Sequence, residues 1–238
     1  MSPKPTTIVP AILGARLADI RAKYERVKSL VDWVQVDVAD GLFAQPATWP
    51  YKHAEDPASL HELLERPAPH AKVELHLMVE NPETGIERWV TSGAKRLLFH
   101  YEATPHINEL FGRCHEIGVS RKERDHSHSA HPLVELGVAL KLETPVKVLE
   151  SLVQPLAFVQ LMAIPRIGAY GAPFSETIYP KIEAVRRKYA RATISIDGGV
   201  SLENAPRLIA AGANQLVVGS ALWRTANVEE AIYKFKKL

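Results

Sequence analysis

Short apolar, β-branched runs alternate with stretches of helical period along the whole chain. The runs predict strands over Thr7–Leu13, Trp33–Asp37, Lys72–Met78, Arg96–His100, Leu136–Leu140, Phe158–Met162, Thr193–Asp197 and Gln215–Gly219. The stretches between and after them predict helices over Leu17–Leu30, Ala58–Leu64, Pro82–Ser92, Ile107–Ile117, Val146–Leu152, Ser175–Tyr189, Asn204–Ala211 and Val228–Lys236. Eight βα pairs without a composition break or a Pro/Ser-rich linker predict an α/β protein whose residues 1–238 form a single (β/α)8 TIM barrel. An open doubly wound sheet usually stops at fewer strands.

Such a barrel places its chemistry in the loops that follow the strands, and polar residues gather there. Asp37 closes the run within Val34-Gln-Val-Asp-Val-Ala-Asp-Gly41, Asp197 closes Thr193-Ile-Ser-Ile-Asp197, and His76 ends Lys72-Val-Glu-Leu-His76. His100 and Lys141 also fall at or just after strand ends. Two carboxylates at the same end of two parallel strands are what a two-base proton transfer requires, with one group on each face of a carbon acid. Either aspartate alone could equally be the N-cap of the next helix. Glycines directly after the last two strands, in Ile196-Asp-Gly-Gly-Val200 and Leu216-Val-Val-Gly-Ser-Ala-Leu222, let backbone N–H groups approach an anion. Gly198, Gly199, Gly219 and Ser220 thus read as a phosphate cradle; tight βα turns are the plainer account of any one glycine pair. His76 with the two aspartates forms a His/carboxylate set suited to zinc, iron or manganese, too few ligands to close a structural site.

Composition narrows the partners. A hydrophobic fraction of 46% supports a full core, and a net charge of +2, scattered along the chain, argues against nucleic acid. Cys114 is the only cysteine, which excludes an intramolecular disulfide and a thiolate zinc cluster. The first ten residues lack the apolar core of a signal peptide, and no apolar run is long enough to span a bilayer, so a cytoplasmic protein without membrane contact is expected. The segment Ser120–His131 carries His126, His128 and His131. It falls between a helix and the fifth strand, on the face away from the chemistry, and reads as a polar insertion rather than a metal site.

Ordered blocks along nearly the whole chain resemble ribulose-phosphate 3-epimerases: Val9-Pro-Ala-Ile-Leu13, Val36-Asp-Val-Ala-Asp-Gly-Leu-Phe43, Leu75-His-Leu-Met-Val-Glu-Asn-Pro82, Phe99-His-Tyr-Glu-Ala-Thr104, Gly137-Val-Ala-Leu140, Ile196-Asp-Gly-Gly-Val200 and Val218-Gly-Ser-Ala-Leu222. The resemblance implies a TIM barrel of the ribulose-phosphate-binding type that interconverts ribulose 5-phosphate and xylulose 5-phosphate by moving the proton at C3. It casts Asp37 and Asp197 as the acid/base pair and, with His76, as ligands of a divalent metal (zinc, iron or manganese). It implies a phosphorylated sugar as partner and allows a homo-oligomer.

The departures from the family pattern cluster at the same site. Gln35 stands where the family has its first metal-binding histidine, Ala11 replaces a serine near the end of the first strand, and Ala39 replaces a methionine. An amide is a weaker ligand than imidazole for zinc or iron, so low metal affinity and impaired turnover are expected, with Arg166 and Lys141 as candidate substitute cations. The loop Ala163–Phe174 is longer than the family's Gly-rich turn; Gly168 and Gly171 keep its freedom, and Gly171 is the candidate phosphate contact, with Ala11 at the pocket wall. Two alternatives stay open: an epimerase or lyase for another sugar phosphate, and a non-catalytic sugar-phosphate binder. The stretch Asp37-Val-Ala-Asp40 lacks the lysine of the related decarboxylases and synthases, which lowers the lyase reading. Retention of both aspartates opposes the binder.

Overall fold

The computed structural model describes residues 6–64, 71–124, 134–168 and 171–238. Eight parallel strands pair in chain order and close on themselves: β1 (Thr7–Ile12), β2 (Trp33–Ala39), β3 (Lys72–Met78), β4 (Arg96–His100), β5 (Glu135–Leu140), β6 (Phe158–Met162), β7 (Thr193–Asp197) and β8 (Gln215–Val218). Successive side chains of a strand face opposite sides, so each strand serves two cores. Val34, Val36 and Val38 of β2, Val73, Leu75 and Leu77 of β3, and Ile194 and Ile196 of β7 join the large apolar layer under the helices. The alternate positions, Gln35, Asp37, Glu74, His76, Gln160, Ser195 and Asp197, are buried polar groups that fill the barrel interior.

The outer layer comprises α1 (Leu17–Glu25), α2 (His61–Leu64), α3 (Ile86–Val90), α4 (Ile107–Arg124), α5 (Ile178–Lys188), α6 (Ala205–Ala211), the single turn α7 (Ser220–Trp223) and α8 (Val228–Lys236). Among the expected helices, Leu17–Leu30 ends at Glu25, Ala58–Leu64 opens as a 3-10 turn over Pro57–Leu60, and two more are corrected in kind or in their start. Val146–Ser151 forms a 3-10 helix instead of an α-helix; two of its six residues are β-branched valines, which lower α-helix propensity. The helix expected from Pro82 starts only at Ile86, since Gly85 at φ +82° lies in the left-handed region and cannot continue a right-handed turn. The His-containing insertion is divided: residues 120–124 extend α4, while His126, His128 and His131 lie outside the described residues.

The floor of the barrel is held by charge inside an aromatic clamp. Arg96 donates to Glu74 Oε2 at 2.5 Å and to Glu135 Oε2 at 2.7 and 2.9 Å, while its guanidinium lies 4.0 Å from the Trp33 ring centre and 4.1 Å from that of Phe158. Glu74 is fully buried, and burial raises its pKa against the opposing pull of Arg96. Removing one partner of such a pair leaves a buried charge without compensation. Arg96→Met should therefore destabilise the fold by about 3 kcal/mol in urea titrations, and adding Glu74→Gln should recover part of that loss.

Candidate active site

The register of β2 and β3 sets Asp37 beside His76, and the closed barrel brings Asp197 across to them. Their three ligating atoms lie within 4.8 Å of one another. His76 Nδ1 is 3.2 Å from Asp37 Oδ1 and 3.3 Å from Asp197 Oδ2. Gln35, two residues before Asp37 on the same inward face, reaches both carboxylates from one nitrogen: its Nε2 donates to Asp37 Oδ1 at 2.6 Å and to Asp197 Oδ2 at 2.8 Å. Gln160 Nε2 donates to the same Asp197 oxygen at 3.1 Å.

Behind this centre runs a second chain of contacts that sequence reasoning missed. His76 Nε2 is 2.9 Å from His100 Nε2, and His100 Nδ1 is 3.1 Å from Glu102 Oε2. Glu102 also accepts from the Lys141 backbone N–H at 2.8 Å and from the Thr144 hydroxyl. The signals in the sequence were a histidine at a strand end with a glutamate two residues later, and the family block Phe99–Thr104 that holds both. Below the centre, Ser195 donates to Gln160 Oε1 at 3.1 Å, and Gln215 donates to Ser195 Oγ at 3.3 Å and to Glu74 Oε1 at 2.9 Å. A continuous polar ladder thus joins the floor to the reactive end.

The electrostatics follow from these partners. Burial raises the Asp37 pKa, with the Asp197 charge adding to it and the bonds from His76 and Gln35 opposing it. Burial works against charge on His76, but the hydrogen bonds and charges of Asp197 and Asp37 outweigh it and raise the imidazole to about 9. His100 goes the other way: burial, aided by the charge on His76, lowers it to about 4. Burial also opposes charge on Glu102, yet the His100 bond and charge, with Thr144 and the Lys141 N–H, lower it to about 2. One tautomer satisfies the whole row: His76 Nε2–H donates to His100 Nε2, and His100 Nδ1–H donates to Glu102.

Ala11, Asp37, His76, Gly171, Asp197, Gly198, Gly199, Gly219 and Ser220, expected from separate strand ends and loops, all line one cleft. Gln35 lies beneath it, fully buried. Gly198 and Gly199 hold φ of +105° and +66°, and a Cβ there would come within 2.6 Å of Ile164 or 2.8 Å of Phe174, so only glycine fits. Trp223 donates to the Ala11 carbonyl at 2.5 Å, tying α7 to β1 at the rim. Ala39 packs beside Met78, Met162 and Ile164 in a small apolar cluster. Neither expected substitute cation is among the residues that line the cleft. Lys141 Nζ sits 3.9 Å from the Phe43 ring centre, and Arg166 is exposed.

The donor set fits a divalent metal. Ligands bonded tetrahedrally at about 2.1 Å stand about 3.4 Å apart, close to the separations of His76 Nδ1 from the two carboxylates. Asp37, His76 and Asp197 would hold it.

The closed parallel barrel, with Asp37, His76 and Asp197 gathered near the C-terminal strand ends, defines a TIM-barrel protein. The sequence model of the ribulose-phosphate 3 epimerase family matches residues 7–223, and the chain belongs to that family. Ribulose-phosphate 3-epimerase of Schizosaccharomyces pombe is 32% identical over 227 residues, 94% of this chain and 90% of that protein. The Bacillus subtilis enzyme of the same name is 32% identical over 235 residues, covering 96% and 97%. Among solved structures, 3-hexulose-6-phosphate synthase from Salmonella typhimurium superposes with a TM-score of 0.65 at 14% identity, covering 97% of each chain, a likeness of fold. No helix among the described residues is long and apolar enough to cross a membrane.

The pKa shifts give stability a pH dependence with a definite sign. His100 and Glu102 are held below their ordinary values, so their contributions are complete above pH 6.5 and 4.5 and are lost as pH falls through 4 and 2. His76 is held above its ordinary value, so its contribution is complete below 6.5 and is lost as pH rises through 9. Thermal melts in chelator should show stability falling on both sides of about pH 6.5. His76→Gln should flatten the alkaline limb, and Glu102→Gln the limb below pH 4.5.

Proposed function

We propose that the protein interconverts ribulose 5-phosphate and xylulose 5-phosphate by two-aspartate proton transfer at C3. The observation that carries this reading is the pair Asp37 and Asp197, ligating atoms within 4.8 Å, presented at the bottom of a cleft by the non-adjacent strands β2 and β7. One carboxylate takes the C3 proton from its face of the sugar to give a planar enediolate, and the other returns a proton to the opposite face. The two exchange protonation states over one turnover, so one must begin protonated. Burial and the Asp197 charge favour a proton on Asp37. His76, held by His100, keeps its Nδ1 edge toward both carboxylates and fixes their orientation. A divalent metal, when bound, stabilises negative charge on the substrate oxygens as a Lewis acid.

The cleft's far wall supports a phosphate. Gly198, Gly199, Gly219 and Ser220 follow adjacent strands β7 and β8 and line this wall, where backbone N–H groups meet an anion. Gly171 adds the loop after β6. A carbohydrate anchored there at its phosphate end extends toward the two aspartates.

Asp37→Asn and Asp197→Asn should each lower epimerisation by about 10³-fold or more with little change in circular dichroism. In D₂O each variant should still exchange the C3 proton of one epimer without converting it, because the remaining carboxylate serves one face. Turnover near wild type in either variant would remove that aspartate from the reaction. Inorganic phosphate should compete with substrate, and unphosphorylated ribulose should bind far more weakly; equal affinity for both sugars would exclude the cradle.

A further inference from the structure

The side chain at the place of the family's first histidine is positioned as more than a lost ligand. Gln35 Nε2 stands 2.6 Å from Asp37 Oδ1, 2.8 Å from Asp197 Oδ2 and 3.4 Å from His76 Nδ1. One side-chain nitrogen thus stands close to all three ligating atoms of the set. Its partner atom on the amide, Oε1, is buried and has no hydrogen-bond partner among the described residues. The nitrogen and oxygen of a carboxamide are nearly the same size and exchange places when the group turns over about its terminal bond. Here that turn breaks no bond on the far side, because Oε1 makes none.

We propose that Gln35 is a reversible ligand: its N–H₂ end ties Asp37 to Asp197 when no cation is present, and its Oε1 end completes a one-nitrogen, three-oxygen site for a divalent cation. The same residue serves both states because the carboxylates need donors in one and the cation needs an acceptor in the other. The two N–H bonds lost on turning over are replaced by the bonds of the carboxylates and the amide oxygen to the cation. The His76–His100–Glu102 row holds the fourth ligand still throughout. Exchanging an imidazole nitrogen for an amide oxygen hardens the ligand set, which lowers the preference for zinc over manganese. This rests on Asp37, His76 and Asp197 forming the site of the epimerase reading, but its readout is metal binding alone, so either can fail without the other.

The test is calorimetric titration of chelator-stripped protein with manganese chloride and, separately, zinc sulfate, for wild type, Gln35→His and Gln35→Met. In Gln35→His the zinc affinity should rise at least about tenfold relative to that for manganese. In Gln35→Met, whose soft thioether neither bridges carboxylates nor ligates manganese, manganese affinity should fall at least about tenfold, and the metal-free protein should melt at a lower temperature than wild type. This second variant decides the question if Gln35→His does not fold. The proposal is overturned if wild type binds neither metal, if Gln35→His leaves the zinc-to-manganese ratio unchanged, or if Gln35→Met binds manganese as wild type does.

Discussion

Two carboxylates held within 4.8 Å of each other and almost out of water would repel, with both ionised, by roughly 3 kcal/mol at an effective dielectric near 20, and much of this interior is arranged to answer that repulsion. Gln35 bridges them, Gln160 adds a donor to Asp197, and His76 lays its Nδ1 edge between them. Each of these side chains in turn needs a position and a partner. His76 takes its orientation from His100, and His100 from Glu102. Glu102 is fixed by the Lys141 backbone and Thr144 at the start of the next loop. The set of contacts around the two carboxylates therefore reaches across β2, β3, β4, β6 and β7.

The barrel interior differs from one filled with branched aliphatic residues. Its inward positions carry Arg96, Glu74, Gln215, Ser195 and Gln160 below Asp37 and Asp197, linked by hydrogen bonds from floor to mouth. Such a ladder stabilises only while its members are satisfied, since each buried polar atom without a partner costs about 1–3 kcal/mol. Gln35 Oε1 is the one atom of this ladder among the described residues left without a partner, and it lies next to the chemistry. The local rule is broken where a second ligand state can use the break.

The cleft above is shaped by what side chains leave out. Glycines at 198 and 199 let Ile164 and Phe174 close on the backbone, and Ala39 leaves Met78 and Met162 to form the adjoining wall. The positive charge at the centre comes from His76, raised to about 9 by its carboxylate neighbours, while Lys141 rests on Phe43 outside the cleft lining. Polar chemistry thus stays on the floor, and the wall toward β6 remains apolar.

The alternation of apolar runs and helical stretches was enough to locate all eight strands, four of them (β3, β4, β6 and β7) to the residue, because a strand buried on both faces leaves a dense and bounded mark in the sequence. The same period put Asp37, His76 and Asp197 at strand ends. Helix limits were less legible where a left-handed Gly85 or a valine-rich six-residue segment interrupts the ladder, since those are local backbone matters that periodicity averages away. The partnerships within the site could not be read. Gln35 looked like a missing ligand, His100 and Glu102 stood in a family block without a stated role, and Gln160 carried no motif, because their role lies in contacts across strands far apart in sequence. Closure of the barrel and its register decide which inward side chains meet, and hydrogen-bond geometry, being a property of distances, exists only once those strands have met.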